Sequence, residues 1–574
     1  MMEVKTVNIP QRPARKFVAE ELVVDAWGKI ESYFQDLLDR EIQSVQELEK
    51  WMLDRSELEA VLEEEQAWRY IKMNIDTRDQ GLGDAFAFWV KEISPNVAPY
   101  SHKLNLKLVE NPFYKELDQE KYRIYLRGLD KAIEIYREEN IPLFTEMETK
   151  QQEYGAIAAR MSVEIDGETM TMQKAAQFLK STDRAKREEV YVKVSQRRME
   201  ECDAFDKLYD ELIALRQKIA RNAGFDNYRD YKFAAMGRFD YTPADCHDFH
   251  ASIAQEITPI INQIDEERKE KMGLESYKPW DGSVDATGKE PLKPFEGGEE
   301  LIDKSIKCFN RLRPYFGECL EIMKEMKHLD LESKEGKAPG GFNYPLYEIG
   351  VPFIYMNAVG SQRDLVTMVH EGGHAVHSFL SRDLELCEFK SVPSEVAELA
   401  SMAMELLSME AWDEFYTDEE ELKRAKREQM EKVLEGLPWI AAIDKFQQWI
   451  YTTEHTAEER RAEWANIMGL LGSSVVDWEG HEEAYLNLWQ KQLHLYEVPF
   501  YYIEYGMAQL GAIAMWRSYK MHGEKALDNY MDALRLGYTK SIGELYQAAG
   551  IEFNFSQEYV KELADFVKAE MAKI

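Results

Sequence analysis

The stretch VHEGGHAVHSFL, residues 369–380, places two histidines four residues apart with a glutamate directly after the first. On an α-helix, residues four apart lie on one face, so His370 and His374 can direct both imidazoles at one metal ion. Glu371 lies one step round the helix, where its carboxylate can take a proton from a water molecule beside that ion. This HExxH spacing is typical of zinc sites. The alternative is that three polar residues share an ordinary helix.

Two glycines inside this pattern favour the metal site. Gly372 and Gly373 each cost about 1 kcal/mol of helix stability relative to alanine, which a purely structural helix has little reason to accept. A helix pressed against another backbone beside a metal does need residues without side chains. His377 extends the row of histidines, but we interpret it as a residue that packs in the core or supports a ligand from behind, rather than as a ligand.

A catalytic zinc site needs a third protein ligand, and the next helical stretch offers candidates. This stretch, VPSEVAELASMAMELL at residues 392–407, places Glu395, Glu398 and Glu405 near one face of a helix. Helical periodicity alone does not choose between Glu395 and Glu398. Any one of these glutamates could instead belong to a solvated helix face.

The residues before the HExxH helix predict a small β region. VPFIYMNAVG, residues 351–360, has the β-branched and aromatic content of a strand, and HLDLES, residues 328–333, predicts a shorter one. Between them, KEGKAPGGFNYPL, residues 334–346, is typical of turns and loops. Ser361 follows the longer strand and is a suitable N-cap for the HExxH helix.

Most of the remaining sequence has helical spacing. The exceptions are a short hairpin predicted to turn at Asp166 and Gly167, and residues 277–298, which are typical of a long loop inside a lobe or of a linker between parts of the fold. The sequence therefore predicts a mostly α-helical protein with a small sheet beside the HExxH helix. We divide it into an N-terminal helical lobe, residues 1–190, and a catalytic helical lobe, residues 191–574.

Composition excludes several classes of partner. The chain has 574 residues and a formal net charge of −35, which argues against binding to nucleic acid or to a membrane surface. It has five cysteines without a CxxC pair, and this usage favours free thiols in a reducing compartment. Because we find neither a signal peptide nor a run of about 18 apolar residues, we expect a cytoplasmic protein. Its oligomeric state is left open.

The chain resembles the thimet oligopeptidase and oligoendopeptidase F family of zinc metallopeptidases, and is most similar to the oligoendopeptidase F branch. The resemblance is strongest at residues 353–379, 394–407 and 494–512. It implies one zinc ion and a third ligand within the pattern E-x-x-S-x-x-x-E, which Glu398, Ser401 and Glu405 match. Glu398 is then the ligand, and Glu405 steadies a ligand imidazole.

The resemblance also implies further site residues and an activity. His494, Tyr501, Tyr502 and Tyr505 match a His- and Tyr-rich loop that contacts the scissile carbonyl in the family. The implied fold is a two-lobed, zincin-type helical body with a deep central channel, in which strand 353–358 is an edge strand that pairs with substrate.

The implied reaction is hydrolysis of internal bonds in short unfolded peptides. Attack is by zinc-bound water, with Glu371 as general base. The alternatives are a zinc exopeptidase of the aminopeptidase, dipeptidase or carboxypeptidase type, and a helical scaffold without activity.

Overall fold

The computed structural model describes residues 8–574. The chain forms two compact units, each assembled from three segments. The first unit comprises residues through Glu134, Lys293–Lys426 and Gly511–Phe553. The second comprises Ile135–Leu292, Arg427–Leu510 and Asn554–Ile574. These units interleave along the chain, whereas the lobes suggested by the sequence are consecutive. The lobe boundary at residue 190 and the central channel stay predictions.

Helices dominate both units, and short strands lie between them. The helices of residues 8–292 are α1 (Trp27–Asp39), α2 (Val45–Ile75), α3 (Gln80–Phe88), α4 (Ser94–Val109), α5 (Gln119–Ile135), α6 (Ile141–Ala159), α7 (Met172–Ala176), α8 (Arg184–Met199), α9 (Cys202–Asn222), α10 (Tyr228–Ala235), α11 (Pro243–Glu256) and α12 (Thr258–Lys271). Those of residues 293–574 are α13 (Gly297–Leu312), α14 (Pro314–Glu325), α15 (Gln362–Ser381), α16 (Cys387–Lys390), α17 (Ser394–Ser408), α18 (Glu419–Thr452), α19 (Ala457–Leu471), α20 (Glu482–Leu486), α21 (Leu493–Glu497), α22 (Tyr502–His522), α23 (Glu524–Arg535), α24 (Ile542–Ala548) and α25 (Gln557–Met571). The strands are β1 (Ser162–Ile165), β2 (Glu168–Thr171), β3 (Leu329–Glu332), β4 (Phe342–Tyr344) and β5 (Phe353–Ala358).

The predicted hairpin is confirmed. Strands β1 and β2 pair antiparallel, and the two residues between them, Asp166 and Gly167, have φ angles of 52° and 81°. Positive φ at both central residues is what a tight two-residue hairpin turn requires, and Asp-Gly accommodates it. The local sequence was therefore sufficient to predict this element.

The second sheet lies beside the HExxH helix α15 and has the strand order β3-β5-β4. Strand β5 pairs parallel with β3 and antiparallel with β4, and its residues are almost all buried. The prediction of strand 353–358 as an edge strand is therefore wrong, because β5 is central and β3 and β4 form the two edges. Strand β4 lies inside the stretch 334–346 that was predicted as turn and loop. The mostly α-helical fold with a small sheet beside α15 is confirmed.

Both sides of this sheet are fixed by packing in the first unit. Ala67 and Ile71 of α2 pack against Phe353 and Tyr355 of β5. Toward α15, the Asn343 amide of β4 donates a hydrogen bond of 3.1 Å to the backbone carbonyl of Glu371. The sheet thus joins α2 to the HExxH helix.

Helix α15 begins where the sequence predicts. The Ser361 hydroxyl accepts from the N–H of Asp364, and the Asp364 carboxylate accepts from the N–H of Ser361. This reciprocal capping satisfies two N–H groups that have no partner inside the helix. It fixes the start of α15 directly after β5.

Within residues 8–574, no helix combines the length and the apolar content needed to span a lipid bilayer.

The start of the long loop at residues 277–298, which lies in the second unit, is fixed by one buried carboxylate. Asp281, fully buried, accepts hydrogen bonds from Arg187 at 2.9 Å and from Arg184 at 2.8 Å, both from the start of α8. The backbone N–H of Lys278 completes the set at 3.0 Å. These contacts lower the pKa of Asp281 although burial alone would raise it.

We expect Asp281→Ala to destabilise the second unit by about 3–5 kcal/mol, because it leaves the buried guanidinium of Arg187 without its carboxylate. The measurement is the shift in the urea unfolding transition. Glu275→Ala, at an exposed position just before this loop, is the control and should change stability by less than about 0.5 kcal/mol. Equal effects of the two substitutions would contradict this role of Asp281.

Candidate metal centre

Three potential ligand atoms converge between α15 and α17 in the first unit. His370, His374 and Glu398 are the one group in the described part of the chain whose ligand atoms all lie within 4.8 Å of each other. Oε2 of Glu398 lies 3.3 Å from Nε2 of His370 and 3.8 Å from Nε2 of His374. Ligand atoms about 2.0–2.1 Å from a tetrahedral ion lie roughly 3.4 Å apart, so these separations suit one ion.

The contacts around these atoms hold them in place. The Ser401 hydroxyl donates to Oε2 of Glu398 at 3.0 Å, and Nδ1 of His370 lies 2.7 Å from Oε1 of Glu405. Since Nδ1 of His370 faces a carboxylate, Nε2 is the nitrogen available to an ion. The spacing E-x-x-S-x-x-x-E thus places three residues on consecutive turns of α17. Glu398 is the potential ligand, Ser401 donates a hydrogen bond to it, and Glu405 pairs with the His370 imidazole.

Both glycines of the HExxH helix lie against neighbouring elements. A Cβ on Gly373 would lie 2.6 Å from the backbone oxygen of Ala400 and 2.7 Å from Cα of Ser401, both in α17. A Cβ on Gly372 would lie 2.7 Å from the ring of Phe309 in α13. Side chains at these positions would separate the helices. The glycines therefore set the distance between the imidazoles and the carboxylate.

The burial and charge of these side chains would suit a cation. Burial acts to lower the pKa of His370, but pairing with Glu398 and Glu405 outweighs it and raises that pKa well above the usual range. Burial also acts to raise the pKa of Glu398, yet the two histidines lower it to about 2. Burial lowers the pKa of His374 to about 4, so this ring is neutral. In the metal-free protein a proton on His370 partly balances the carboxylates, and a divalent ion would displace it.

Glu371 is buried and takes no part in the converging group. Burial raises the pKa of its carboxyl to about 7, the nearby Glu398 adds to this effect, and His370 opposes it. A carboxyl with a pKa near neutrality can both accept and return a proton at neutral pH. A divalent cation nearby would lower this pKa, because it favours the charged form.

The donor set fits a divalent transition-metal ion: two imidazole nitrogens and one carboxylate oxygen, with a carboxyl group beside them. Glu395, the alternative third ligand, is buried on α17 outside the converging group, and its backbone oxygen accepts from the Tyr546 hydroxyl. His377 is buried as well, and burial lowers its pKa to about 3. Sequence reasoning missed Asn343, because nothing in the loop-like stretch 334–346 indicates a contact with α15.

The four residues of the predicted His- and Tyr-rich loop lie together in the second unit. The His494 ring centroid lies 4.9 Å from that of Tyr502, 6.0 Å from that of Tyr505 and 6.2 Å from that of Tyr501. All four side chains are partly exposed. They form one aromatic cluster at the start of α22, which we call the His494 cluster.

Buried side chains of the second unit fix the backbone of this segment. Arg216 of α9 is fully buried and donates to the backbone oxygens of Leu495, at 2.9 Å, and Tyr496. Phe500, directly before the tyrosines, has a φ angle of 68°, which is rare for a large side chain. Its N–H donates to Gln447 at 2.7 Å.

The oxygen of Phe500 accepts from Arg238, which also pairs with Glu504 at 2.7 Å. The cluster is therefore built on a backbone held by buried charges.

Comparison with known proteins assigns the family. Peptidase family M3 matches residues 177–565, and the peptidase M3 N-terminal domain matches residues 20–136. The chain belongs to peptidase family M3. The predicted family membership is thereby confirmed.

Relatives of this M3 chain carry related names. An oligoendopeptidase F homolog of Lactococcus lactis is 20% identical over 350 residues, which are 61% of this chain and 57% of that protein. Oligopeptidase PepF of Bacillus subtilis is 23% identical over 336 residues, 57% of this chain and 48% of that protein. The matches thus span about half the length of these relatives. The structure of PZ peptidase A with an inhibitor superposes with a TM-score of 0.88 and 25% identity, covering 95% of this chain and 97% of that one.

We expect Gly373→Ala to weaken metal binding at least about tenfold, because the new methyl group would push α15 away from the backbone of α17. A competitive titration with a chromophoric chelator measures the affinity. Gly155→Ala in α6 is the matched control, since nothing lies within 4 Å of the added Cβ, and it should keep the affinity unchanged. Wild-type affinity in Gly373→Ala would show that the helix contact does not set the site.

Proposed function

We propose that the protein is a zinc-dependent endopeptidase that hydrolyses internal bonds of short peptides. The observation that supports this most directly is the convergence of His370, His374 and Glu398, with the carboxyl group of Glu371 on the next position of the same helix. These three residues would hold one zinc ion. Membership of peptidase family M3 supports the same reaction class.

The reaction would divide between the ion and the side chains. Zinc, when bound, lowers the pKa of water and polarises a peptide carbonyl. Glu371 would take the proton from the attacking water and return it to the leaving amine. Glu405 keeps the His370 ring oriented, and Ser401 does the same for the Glu398 carboxylate.

The His494 cluster would supply hydrogen-bond donors to the substrate. A neutral tyrosine hydroxyl donates one hydrogen bond, and burial keeps Tyr502 protonated by raising its pKa. Donors aimed at a developing oxyanion are worth about 3–4 kcal/mol each. His494, Tyr501, Tyr502 and Tyr505 are our candidates for this role.

Strand β4 is our candidate for contact with the peptide backbone. It forms one edge of its sheet, and the Asn343 side chain hydrogen-bonds to the backbone of Glu371 in the HExxH helix. An extended peptide can add to such an edge through main-chain hydrogen bonds, which read backbone rather than side chains. This contact, which the sequence suggested for β5, is now proposed for β4.

The setting would be the cytoplasm and the substrates short peptides. All five cysteines are buried free thiols, as expected in a reducing compartment. Relatives named oligopeptidases support peptides of limited length. The net charge of −35 disfavours nucleic acid and anionic membrane surfaces as partners.

The test is digestion of peptides blocked by N-acetylation and C-amidation, read by mass spectrometry. We expect internal cleavage by the wild-type protein and none after chelation. Glu371→Gln should retain one zinc ion per chain and lose about 10²–10⁴-fold in kcat, because ligation survives and the general base does not. Glu275→Gln, at an exposed site, controls for the substitution.

Cleavage restricted to the ends of unblocked peptides would instead identify an exopeptidase. Loss of zinc from Glu371→Gln would contradict the role given to this residue.

A further inference from the structure

A chain of hydrogen bonds connects α18 to the His494 ring within the second unit. The indole Nε1 of Trp439 lies 2.9 Å from Oε1 of Gln492, and Nε2 of Gln492 lies 2.7 Å from Nδ1 of His494. Trp439 is itself held by edge-on contact with the ring of Trp464, at 5.5 Å, and by the Lys491 ammonium over its face. The hydrogen-bonded series therefore begins at an indole ring, that of Trp439, whose position is fixed by its neighbours.

The chemistry of the groups fixes the direction of this chain. An indole N–H can only donate, so Gln492 presents its amide oxygen to Trp439. The amide nitrogen of Gln492 therefore faces His494, and it too can only donate. Nδ1 of His494 must then be the acceptor and carry no proton. In a neutral imidazole the proton is left on Nε2.

We propose that Gln492, oriented by Trp439, is a positioning residue that fixes His494 as the Nε2–H tautomer. The ring then offers an N–H donor, rather than a lone pair, to an oxygen atom of a bound substrate. The role of His494 toward substrate rests on the proposed function. The assignment of the Nε2–H tautomer does not, because it follows from the hydrogen bonds alone. It gives a physical reason for a glutamine two residues before the histidine.

The groups around His494 determine how its ring responds to pH. Burial lowers its pKa, so the ring is neutral at pH 7. The titratable groups whose rings face it are those of Tyr501, Tyr502 and Tyr505. On the Trp439 side, the ammonium of Lys491 lies over the indole ring at 4.5 Å from its centroid. A carboxylate placed at position 492 would be the negative charge closest to Nδ1.

The decisive variant is Gln492→Glu, which keeps the shape of the side chain and exchanges a donor for an acceptor. Its carboxylate accepts from Trp439 and from His494, so Nδ1 becomes the protonated nitrogen and the pKa of His494 rises. At low pH the doubly protonated ring still carries Nε2–H. Above the raised pKa the ring loses that proton from Nε2 and presents a lone pair.

We expect the ratio of kcat/KM for Gln492→Glu to that of wild type to fall about 10²–10³-fold as pH rises over roughly pH 6–9. Gln492→Met, which favours neither tautomer, should lose less than about tenfold, at all pH values alike. Gln196→Glu, an exposed isosteric change in α8, should keep the ratio at one. A ratio for Gln492→Glu that does not change with pH would overturn the proposal, since a merely structural role predicts a uniform loss.

A second measurement separates this inference from the proposed function. In histidine-labelled protein, the ¹⁵N shifts of the His494 ring, assigned by loss of the signal in His494→Gln, report the tautomer without any activity. We expect Nε2–H in wild type and Nδ1–H in Gln492→Glu at high pH, and Nδ1–H in wild type would overturn the inference. If His494→Ala retains wild-type kcat/KM, the substrate role of His494 fails while the tautomer result stands.

Discussion

The close approach of two helix backbones is the constraint on which the candidate centre depends. Gly373 of α15 lies against Ala400 and Ser401 of α17 with no room for a methyl group. Only at that distance can a glutamate on one helix reach the two imidazoles of the other. Two adjacent glycines lower the stability of the helix by about 2 kcal/mol relative to alanine. They also allow a close approach of the helices that a residue with a side chain would prevent.

The second feature is a buried set of opposite charges that suits a cation. Glu371, Glu398 and Glu405 gather around His370, and the proton on His370 only partly balances them. Such an arrangement is costly to bury without a compensating charge. A divalent ion would supply that charge, and the neighbouring His374, which burial keeps neutral, is in the form that a metal ligand needs.

Local patterns in the sequence predicted what local physics controls. The HExxH helix, its Ser361 cap and the hairpin at Asp166 and Gly167 depend on residues a few positions apart. The edge position of β4 could not be predicted, because it depends on pairing with β5 across a stretch rich in glycine and proline. Helical spacing also left Glu395 and Glu398 equivalent, since only the packing of α17 on α15 shows which one turns toward the imidazoles. The hydrogen bonds from Trp439 through Gln492 to His494 join residues more than fifty positions apart, and no sequence pattern predicts them.

The most direct test of the account is anomalous diffraction at the zinc edge from crystals of the zinc-loaded protein. We predict one peak about 2.0–2.2 Å from Nε2 of His370, Nε2 of His374 and a carboxylate oxygen of Glu398, with Glu371 beside it but not bound. The account would be contradicted by the absence of a peak there, or by a peak at which another residue replaces Glu398.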